Sequence, residues 1–299
     1  MMAAPDACWS DWQNLERLGD FSVSDFLDSM AQGSRERLKA ARARVAEAKL
    51  LDRISALPEP PPLGFHPAGF DIIAEMKLVS PAAGRLKEQD EDISRRVAQY
   101  ASGGAAAVSV LTEPSRFGGS LTHLSEAAAA LAGHAIPAMR KDFLLDPYQV
   151  LEARAAGAGG VLVILAMLDD AQCREIISAA LEQNMFVLVE AFDEQELARG
   201  GELFSCLPET DQLLLGLNCR DLRTLQVDPQ RFETAAPSFP PVSHRVAESG
   251  IETPEHARWA RRLGYDMALV GTALMRSGDP AGALAGLLAA GRESSEVAK

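Results

Sequence analysis

The chain has 299 residues, of which 47% are hydrophobic and 24% are charged, as in an ordinary globular protein. Its net charge of −13 argues against nucleic acid or an anionic membrane surface as the main partner. No apolar run approaches the roughly 18–20 residues that span a bilayer, and no signal peptide is visible. The four cysteines lack CxxC spacing. We therefore expect a cytoplasmic protein with free thiols and no nucleic-acid or membrane partner.

The first 70 residues predict helices followed by a stiff connector. Across residues 21–50, hydrophobic residues such as Phe26, Leu27 and Met30 stand among Arg, Lys and Glu, which indicates one or two amphipathic helices. Five prolines between positions 58 and 67 then fix φ and exclude a regular strand ladder. We expect residues 1–70 to form a helical extension and connector that belong to the same domain as the rest of the chain.

After this connector, short apolar runs recur at intervals typical of alternating strands and helices. The predicted strands lie at 71–76, 105–111, 135–139, 160–165, 185–190, 213–217, 244–248 and 267–270. Amphipathic segments separate these runs. Three of the segments begin with N-cap signals, at Asp146-Pro147, Asp169-Asp170 and Thr253-Pro254. Three glycines fit predicted helix ends, namely Gly157, Gly264 and Gly291.

Polar and charged side chains stand at the C-terminal ends of five of these runs. They are Glu75 and Lys77, Lys141, Glu190, Asn218 and Arg220, and Glu248 with Ser249. A buried charge without a partner is costly, so ordinary core strands avoid such residues. In a parallel barrel these strand ends meet at one rim, where barrel enzymes place their active sites. The pattern predicts an enzyme, and a set of purely structural ion pairs is the alternative explanation.

Eight short strands separated by helices predict an α/β fold with a parallel sheet. Their number alone does not distinguish a closed barrel from an open doubly wound sheet, whose site usually lies between two or three strands. Here the polar residues come from at least five strands. We therefore predict a closed (β/α)8 TIM barrel over residues 71–299, preceded by the helical extension.

The turns after the last two predicted strands indicate a phosphate site. Ser249-Gly250 and Gly271-Thr272 offer backbone that a ligand can approach closely, and barrels often bind phosphate at this place. Ser80 follows the first strand, which in a closed barrel lies beside the eighth, so its hydroxyl is a further candidate. Two ordinary strand–helix turns, in which glycine is common, are the alternative.

Several stretches together resemble the indole-3-glycerol phosphate synthase family, barrel enzymes of tryptophan biosynthesis. They are IIAEMKLVSP, AAAVSVLTE with FGGS, MRKDFLLDPYQVLEARAAGA, FVLVEA, LGLNCRDL, VAESGI and LVGTALMR. The resemblance implies a carboxy-lyase that converts 1-(2-carboxyphenylamino)-1-deoxyribulose 5-phosphate to indole-3-glycerol phosphate, CO2 and water. It implies a phosphorylated small-molecule substrate, no metal and no organic cofactor. We expect a monomer or weak homodimer.

The resemblance also implies residue roles. Lys141 matches a general acid that activates the substrate carbonyl, Lys77 contacts the substrate carboxylate, and Glu190 exchanges protons in the later steps. The supporting polar groups around the reacting atoms are Glu75, Asn218 and Glu248, with Arg220 bonded to them. The phosphate-binding positions are Ser80, Gly250, Gly271 and Thr272, with Ser249 between the phosphate and the reacting centre. The aromatic residues that line the pocket for the substrate ring are Phe143 and Phe117.

Four positions depart from the family pattern. Leu78 stands where relatives usually have a basic residue, and Ala82 where they have a second serine. Cys219 stands where they have a second asparagine, and Arg116, before Phe117, where they have an aromatic or similar residue. These departures leave open a paralogue that acts on a modified anthranilate-derived or related aminodeoxyribulose phosphate, and a substrate-binding pseudoenzyme. The retained lysines and glutamates argue against a pseudoenzyme, because a binding protein gains little from an acid–base set.

Overall fold

The computed structural model describes residues 23–80, 84–85, 92–221, 224 and 226–293. Cys8, Ala82 and the first 22 residues of the predicted extension lie outside these ranges. None of the described helices has the length and apolar character needed to cross a membrane.

Eight parallel strands close into a barrel and confirm the predicted fold. The strands of the chain are β1 (Asp71–Met76), β2 (Val79–Ser80), β3 (Gly84–Arg85), β4 (Ala107–Leu111), β5 (Ala138–Lys141), β6 (Gly160–Ile164), β7 (Phe186–Ala191), β8 (Leu213–Asn218), β9 (Arg245–Glu248) and β10 (Met267–Val270). The barrel follows the order β1-β10-β9-β8-β7-β6-β5-β4, and β1 also pairs with β4 to close the ring. A separate antiparallel pair, β2 and β3, lies in the segment after β1.

The helices surround the barrel. They are α1 (Val23–Arg44), α2 (Glu47–Ser55), α3 (Ile93–Ser102), α4 (Pro114–Phe117), α5 (Leu121–Leu131), α6 (Pro147–Ala155), α7 (Asp170–Glu182), α8 (Glu194–Ser205), α9 (Gln230–Ala235), α10 (Pro254–Arg262), α11 (Thr272–Arg276) and α12 (Pro280–Glu293). Asp146, Asp169 and Thr253 each accept a hydrogen bond from a backbone N–H in the first turn of α6, α7 and α10. The three predicted helix starts are confirmed.

Alternation along each strand separates two hydrophobic layers. On β1, Ile72, Ala74 and Met76 pack outward against the helices, whereas Ile73 faces the barrel interior. The interior is filled by large side chains from the other strands, such as Met139, Leu162, Leu188, Leu214 and Met267. The barrel is therefore a packed core that supports whatever lies at its C-terminal end.

The third barrel strand, β5, differs from the prediction. It begins at Ala138 and continues through Lys141, whereas the apolar pattern predicted 135–139. Ala135 has a left-handed φ of 54° and Pro137 has no N–H for the ladder, so pairing starts only after them. Arg140 is tolerated in the strand because its outward guanidinium donates to the Gln149 carbonyl and to Asp142.

The glycine predictions at helix ends are right at two positions and wrong at the third. Gly157 and Gly264 follow α6 and α10 with φ of 90°, which favours glycine. Gly291 instead lies inside α12, where a Cβ would collide with the ring of Phe70. Close packing therefore explains this glycine, and helix termination does not.

The helical extension packs across one side of the barrel and its C-terminal end. Leu27 and Met30 of α1 join the interior cluster at the top of the barrel. Lower down, Ala41 and Leu50 pack with Tyr148 of α6. The Tyr148 hydroxyl donates to the carbonyls of Ala41 and Val45, at 3.1 and 2.8 Å. These contacts place α1 beside the barrel mouth, which is the opening at the C-terminal ends of the strands.

Candidate active site

Four charged side chains form one layer at the barrel mouth. Glu75, Lys141, Glu190 and Glu248 come from β1, β5, β7 and β9, which are alternate strands of the ring. Two residues earlier, the same strands contribute Ile73, Met139, Leu188 and Val246 to the apolar interior. Layers of four side chains from alternate strands are the usual packing of such barrels. The change from an apolar layer to a charged layer therefore occurs within two residues of each strand.

Lys141 lies between two carboxylates of this layer. Its Nζ is 3.3 Å from Glu190 Oε2 and 3.1 Å from Glu248 Oε2. The lysine side chain is 16% exposed, and the two glutamate side chains are 4% and 1% exposed. Burial alone would lower the pKa of Lys141, but Glu248, Glu190 and Glu75 outweigh it and raise the pKa above its ordinary value. Lys141 is therefore a cation that faces the mouth.

Glu248 is the most deeply buried carboxyl group of the layer. Its Oε1 has no hydrogen-bond partner among the described residues and lies over Gly216, where a Cβ would collide with it. Burial raises the pKa of Glu248 well above its ordinary value, and the neighbouring Glu190 adds to this, although Lys141 acts in the opposite direction. The upward shift follows from the geometry, because a desolvated oxygen without a partner strongly disfavours the charged form.

We predict that Glu248→Gln stabilises the protein at alkaline pH. A carboxyl group whose pKa is raised by folding contributes stability below its unfolded pKa, and this contribution is lost as pH rises through the folded pKa. Glutamine cannot lose a proton, so the variant's Tm should exceed that of the wild type more at pH 9 than at pH 5. Thermal unfolding between these pH values tests this, with the exposed Glu202→Gln as control. If the difference in Tm between the variant and the wild type shrinks towards pH 9, the pKa of Glu248 is not raised by folding.

Glu75 and Lys77 form an ion pair on the same strand end. The Lys77 Nζ is 2.6 Å from Glu75 Oε1. Burial alone would raise the pKa of Glu75, but Lys77, Lys141 and Arg220 together hold it below its ordinary value. A Cβ at Gly271 would collide with this pair, so glycine at that position lets β10 pack closely beside it. The ion pair that was considered as a structural alternative exists, and it also lines the site.

Asn218 connects the charged layer to the loop after β9. Its Nδ2 donates to Glu190 Oε2 at 3.0 Å, and its Oδ1 accepts from Ser249 Oγ at 2.9 Å and from the Arg220 N–H at 3.0 Å. Ser249 has a left-handed φ of 67°, which costs a non-glycine residue about 1–2 kcal/mol. The hydrogen bond to Asn218 holds this strained residue at the edge of the site.

A cavity of about 1110 Å³, including its open mouth, lies above the charged layer. Every predicted site residue with a described side chain lines it: Glu75, Lys77, Phe117, Lys141, Phe143, Glu190, Asn218, Arg220, Glu248, Ser249, Gly250, Gly271 and Thr272. Ser80 belongs to β2, and its side chain lies outside the described part of the structure. Among the described residues, no group of three His, Cys, Asp or Glu side chains is placed to hold a metal ion.

The cavity has two chemically different ends. One wall is aromatic, because Phe143 lies with its ring centroid 6.2 Å from the rings of both Phe26 and Phe117. The loops after β9 and β10 contribute Gly250, with φ of 86°, and Gly271-Thr272. The charged layer forms the floor. The cavity thus suits an elongated molecule with an apolar ring and an anionic group.

Cys219 does not belong to this cavity. Its side chain packs in the outer hydrophobic layer, and burial raises the pKa of the thiol to about 12. A nucleophilic role is therefore excluded on both position and protonation. The described cysteines Cys173, Cys206 and Cys219 are free thiols.

Comparison with known proteins assigns the family. The family model of indole-3-glycerol phosphate synthase matches residues 27–287. A protein named indole-3-glycerol phosphate synthase from Micrococcus luteus is 40% identical over 271 residues, and the match covers 88% of this chain and 97% of that protein. One from Nocardioides sp. is 40% identical over 260 residues, and the match covers 86% of this chain and 96% of that protein. One from Mycolicibacterium smegmatis is 37% identical over 278 residues, and the match covers 92% of this chain and 97% of that protein. The chain belongs to the indole-3-glycerol phosphate synthase family.

Solved structures support the fold only. A thiamine phosphate pyrophosphorylase from Pyrococcus furiosus superposes with a TM-score of 0.53 at 16% identity, covering 76% of this chain and 96% of its own. A 3-hexulose-6-phosphate synthase from Salmonella typhimurium superposes with a TM-score of 0.54 at 15% identity, covering 75% of this chain and 99% of its own. The family match itself begins inside α1 and ends inside α12, so α1 is part of the indole-3-glycerol phosphate synthase match.

Some cavity residues of this family member were not predicted. Phe26 and Leu27 of α1 reach the mouth, and Phe192, Val227 and Ile251 are among the other residues that line it. The sequence marks Phe26 and Leu27 as apolar positions of an amphipathic helix, which is also the pattern of ordinary core residues. No local signal separates the two roles, because the role depends on where the helix docks.

Proposed function

We propose that this chain is an indole-3-glycerol phosphate synthase that converts 1-(2-carboxyphenylamino)-1-deoxyribulose 5-phosphate to indole-3-glycerol phosphate, CO2 and water. The observation that carries the proposal is the position of Lys141. It is a partly buried cation between the buried carboxylates of Glu190 and Glu248, at the floor of a cavity with one aromatic wall and two glycine-containing loops. Family membership supplies the reaction, and this geometry supplies groups suited to each of its steps.

The two ends of the substrate match the two ends of the cavity. The substrate's benzoate ring fits the wall formed by Phe26, Phe117 and Phe143, because aromatic rings pack well at offset and edge-on angles. The phosphate fits the loops of Gly250 and Gly271-Thr272, which line the cavity and whose glycines let a ligand approach the backbone closely. Ser80 is proposed to join the phosphate site, and Ser249 to lie between this site and the reacting centre.

Ring closure requires a proton at the substrate ketone. The aromatic carbon that bears the carboxylate attacks the ketone carbon, and negative charge develops on the ketone oxygen. Protonated Lys141 stabilises this charge and donates its proton, which leaves a hydroxyl group on the new ring. Loss of CO2 then restores the aromatic ring. Lys77 is proposed to bind the carboxylate before it leaves, since its ammonium lies at the same floor.

Dehydration completes the indole. The hydroxyl group leaves as water with a proton from a lysine, for which Lys77 is the proposed donor, and Glu190 accepts the proton that the ring loses. Asn218 holds Glu190 in place through its 3.0 Å hydrogen bond. Glu75 stays ionised beside Lys77, while Glu248 and Arg220 complete the polar surroundings. The two lysines and three glutamates provide separate acids and bases, because neighbouring cations hold the pKa of Glu75 below its ordinary value while burial holds that of Glu248 above it.

No observation favours a second function. Leu78 packs against the outer hydrophobic layer, as Cys219 does. Arg116 does not line the cavity either, so three of the four departures from the family pattern lie outside it. Ala82 lies outside the described residues. A paralogue with a modified substrate and a binding pseudoenzyme remain as outcomes of the assay below.

We also propose that residues 1–70 and 71–299 act as one domain, because α1 contributes cavity residues to a site built on the barrel. A cytoplasmic location agrees with the free thiols. A monomer or weak homodimer agrees with the described surface, where the exposed large hydrophobic side chains are Leu51 and Leu57.

The test is a fluorescence assay for indole-3-glycerol phosphate with purified protein and the carboxyphenylamino-deoxyribulose phosphate. We expect turnover on the order of 1 per second or faster. Tight binding of the substrate without turnover would identify a pseudoenzyme. Neither binding nor turnover would show that the substrate differs from the one proposed.

A further inference from the structure

A single arginine of α1 reaches two loops of the barrel mouth. The Arg37 guanidinium donates to Asp142 Oδ1 at 2.7 Å and to Glu113 Oε1 at 3.4 Å. Both carboxylates are 1% exposed, whereas the Arg37 side chain is 29% exposed. Asp142 directly follows the catalytic-layer residue Lys141, and Glu113 begins α4. Arg37 is therefore a bridge between the extension and the loops after β4 and β5.

Asp142 is fully saturated with donors. Beside Arg37, its Oδ1 accepts from the Phe143 N–H at 2.9 Å, and its Oδ2 accepts from Thr112 Oγ1 and Arg140 Nη2 at 2.8 and 3.0 Å. Burial alone would raise the pKa of Asp142, but Arg140 and Arg37 together lower it below its ordinary value. Asp142 is thus an ionised, rigidly held anchor for Arg37.

Glu113 orders the neighbouring loop in the same way. Its carboxylate accepts from the backbone N–H groups of Ser115, Arg116 and Phe117, which form the whole first turn of α4.

A third contact joins α1 to the loop after β5, because Ser34 Oγ donates to the Phe143 carbonyl at 2.5 Å. Gln149 Nε2 in turn donates to Ser34 Oγ at 2.9 Å.

The three segments that Arg37 connects each contribute one ring to the aromatic wall. Phe26 lies on α1 itself, Phe117 on the helix that Glu113 caps, and Phe143 directly after Asp142. Phe143 meets Phe26 edge-on and Phe117 at a tilt of 38°, with centroids 6.2 Å apart in both pairs, so ring contacts alone hold the wall weakly. Charge-assisted hydrogen bonds are stronger and fix direction as well as distance.

We propose that Arg37 is a positioning residue that holds α1 over the mouth and so sets the aromatic wall against which the substrate's ring binds. This inference deepens the proposed function and rests on it for the identity of the ring. Arg37 contacts no group of the charged layer in the described structure, so its effect is on substrate binding and not on the chemical step. The ligand chemistry that requires it is a planar aromatic ring.

The chain contains a matched comparison on the same helix. Arg42 of α1 also pairs with an aspartate of the segment after β5, with Nη2 2.7 Å from Asp146 Oδ1. That pair is exposed, at 50% and 25%, and it contacts neither Glu113 nor Asp142 in the described structure. Exposed pairs of this kind contribute little. Arg42→Met therefore serves as the control. It removes the same charge and a similar ion pair from α1, but it leaves the contacts of Arg37 with Asp142 and Glu113 in place.

Steady-state kinetics of Arg37→Met and Arg42→Met test the proposal. We expect Arg37→Met to raise KM about 10-fold or more and to lower kcat by less than about 3-fold, because uniform binding is lost while the chemical step is retained. Arg42→Met should change KM by less than about 2-fold. Arg37→Lys should give an intermediate KM, since an ammonium cannot bind two carboxylates in a planar fork. Equal effects of the two methionine variants, or a fall in kcat as large as the rise in KM, overturn the proposal.

A double-mutant cycle shows whether Arg37 acts through Phe26. In a Phe26→Ala background, Arg37→Met should raise KM by less than about 3-fold further, because the ring that it positions is already absent. Fully additive effects on KM would mean that Arg37 acts independently of α1's aromatic side chain, which also overturns the proposal.

Hydrogen exchange separates failure of this inference from failure of the proposed function. The amides of residues 23–44 should exchange about 10-fold faster in Arg37→Met than in Arg42→Met, since opening of α1 no longer breaks the bridge. This measurement needs no substrate. Unchanged exchange overturns the bridge even in an active enzyme, whereas faster exchange in a protein that does not turn over the substrate supports the bridge and rejects the assigned reaction.

Discussion

Lys141→Met should lower kcat for indole-3-glycerol phosphate formation by about 10³-fold or more, because this one residue is proposed to supply both a general acid and charge stabilisation at the ketone oxygen. Methionine keeps the length and apolar stem of lysine, so the barrel floor stays packed. Fluorescence assays at saturating substrate measure the effect. Lys49→Met, at an exposed position of α2, is the control and should retain wild-type kcat. A Lys141→Met enzyme that retains more than about a tenth of kcat contradicts the assigned role.

The same variant should also be less stable. Without the ammonium, Glu190 and Glu248 stand together at 4% and 1% exposure and lose the cation that lies 3.3 and 3.1 Å away. Removing one partner of a buried ion pair typically costs about 3–5 kcal/mol, because the remaining charge is unpaired. Protonation of the carboxyl groups relieves this, so the loss in Tm should be larger at pH 8 than at pH 5. Thermal unfolding at the two pH values measures it.

Glu190→Gln should lower kcat by about 10²–10³-fold while the protein remains folded. The substitution preserves the shape of the side chain, and its amide can still accept from Lys141 or Asn218, which now contact Glu190 Oε2 at 3.3 and 3.0 Å. It removes the carboxylate that is proposed to accept a proton during dehydration, and loss of a general base typically costs this much. Single-turnover experiments isolate the chemical steps from product release.

Glu194→Gln is the matched control for Glu190→Gln, because it lies four residues later at an exposed position of α8. Its kcat and KM should equal those of the wild type. If Glu190→Gln retained a normal single-turnover rate, the proton acceptor would have to be another carboxylate of the layer, and Glu75 would be the next to test.

The fold was largely predictable from the sequence because both periodicities were visible. Strand positions such as 71–76 and 267–270 agree with the structure, and the helix starts at Asp146, Asp169 and Thr253 carry side chains that cap them. The exception is β5, whose polar residues hide its strand character. Lys141 is satisfied there by Glu248, 107 residues further along the chain. Arg140 is satisfied by the Gln149 carbonyl in α6 and by Thr112 after β4, contacts that only the folded loops provide.

The site was predictable in part. Residues such as Glu75 and Glu190 were identified because charges are unusual in buried strands, and the closed barrel brings them together. The contribution of α1 was not assigned residue by residue, because it depends on long-range contacts such as the one between Arg37 and Asp142. The direction of the pKa shift of Glu248 could not be predicted from the sequence either, because it comes from burial that only the packed structure defines.

The charged residues of the site are distributed unequally between the first and second halves of the chain, because alternate strands of the barrel contribute them. The half that contains β1, β4, β5 and β6 supplies both lysines of the site, Lys77 and Lys141, with Glu75. The half that contains β7 to β10 supplies Glu190 and Glu248. A chain cut between β6 and β7 would thus yield one fragment with both lysines and another with the two glutamates that flank Lys141. Fragment reassembly would be directed by attraction at the very groups for which the chemistry is proposed.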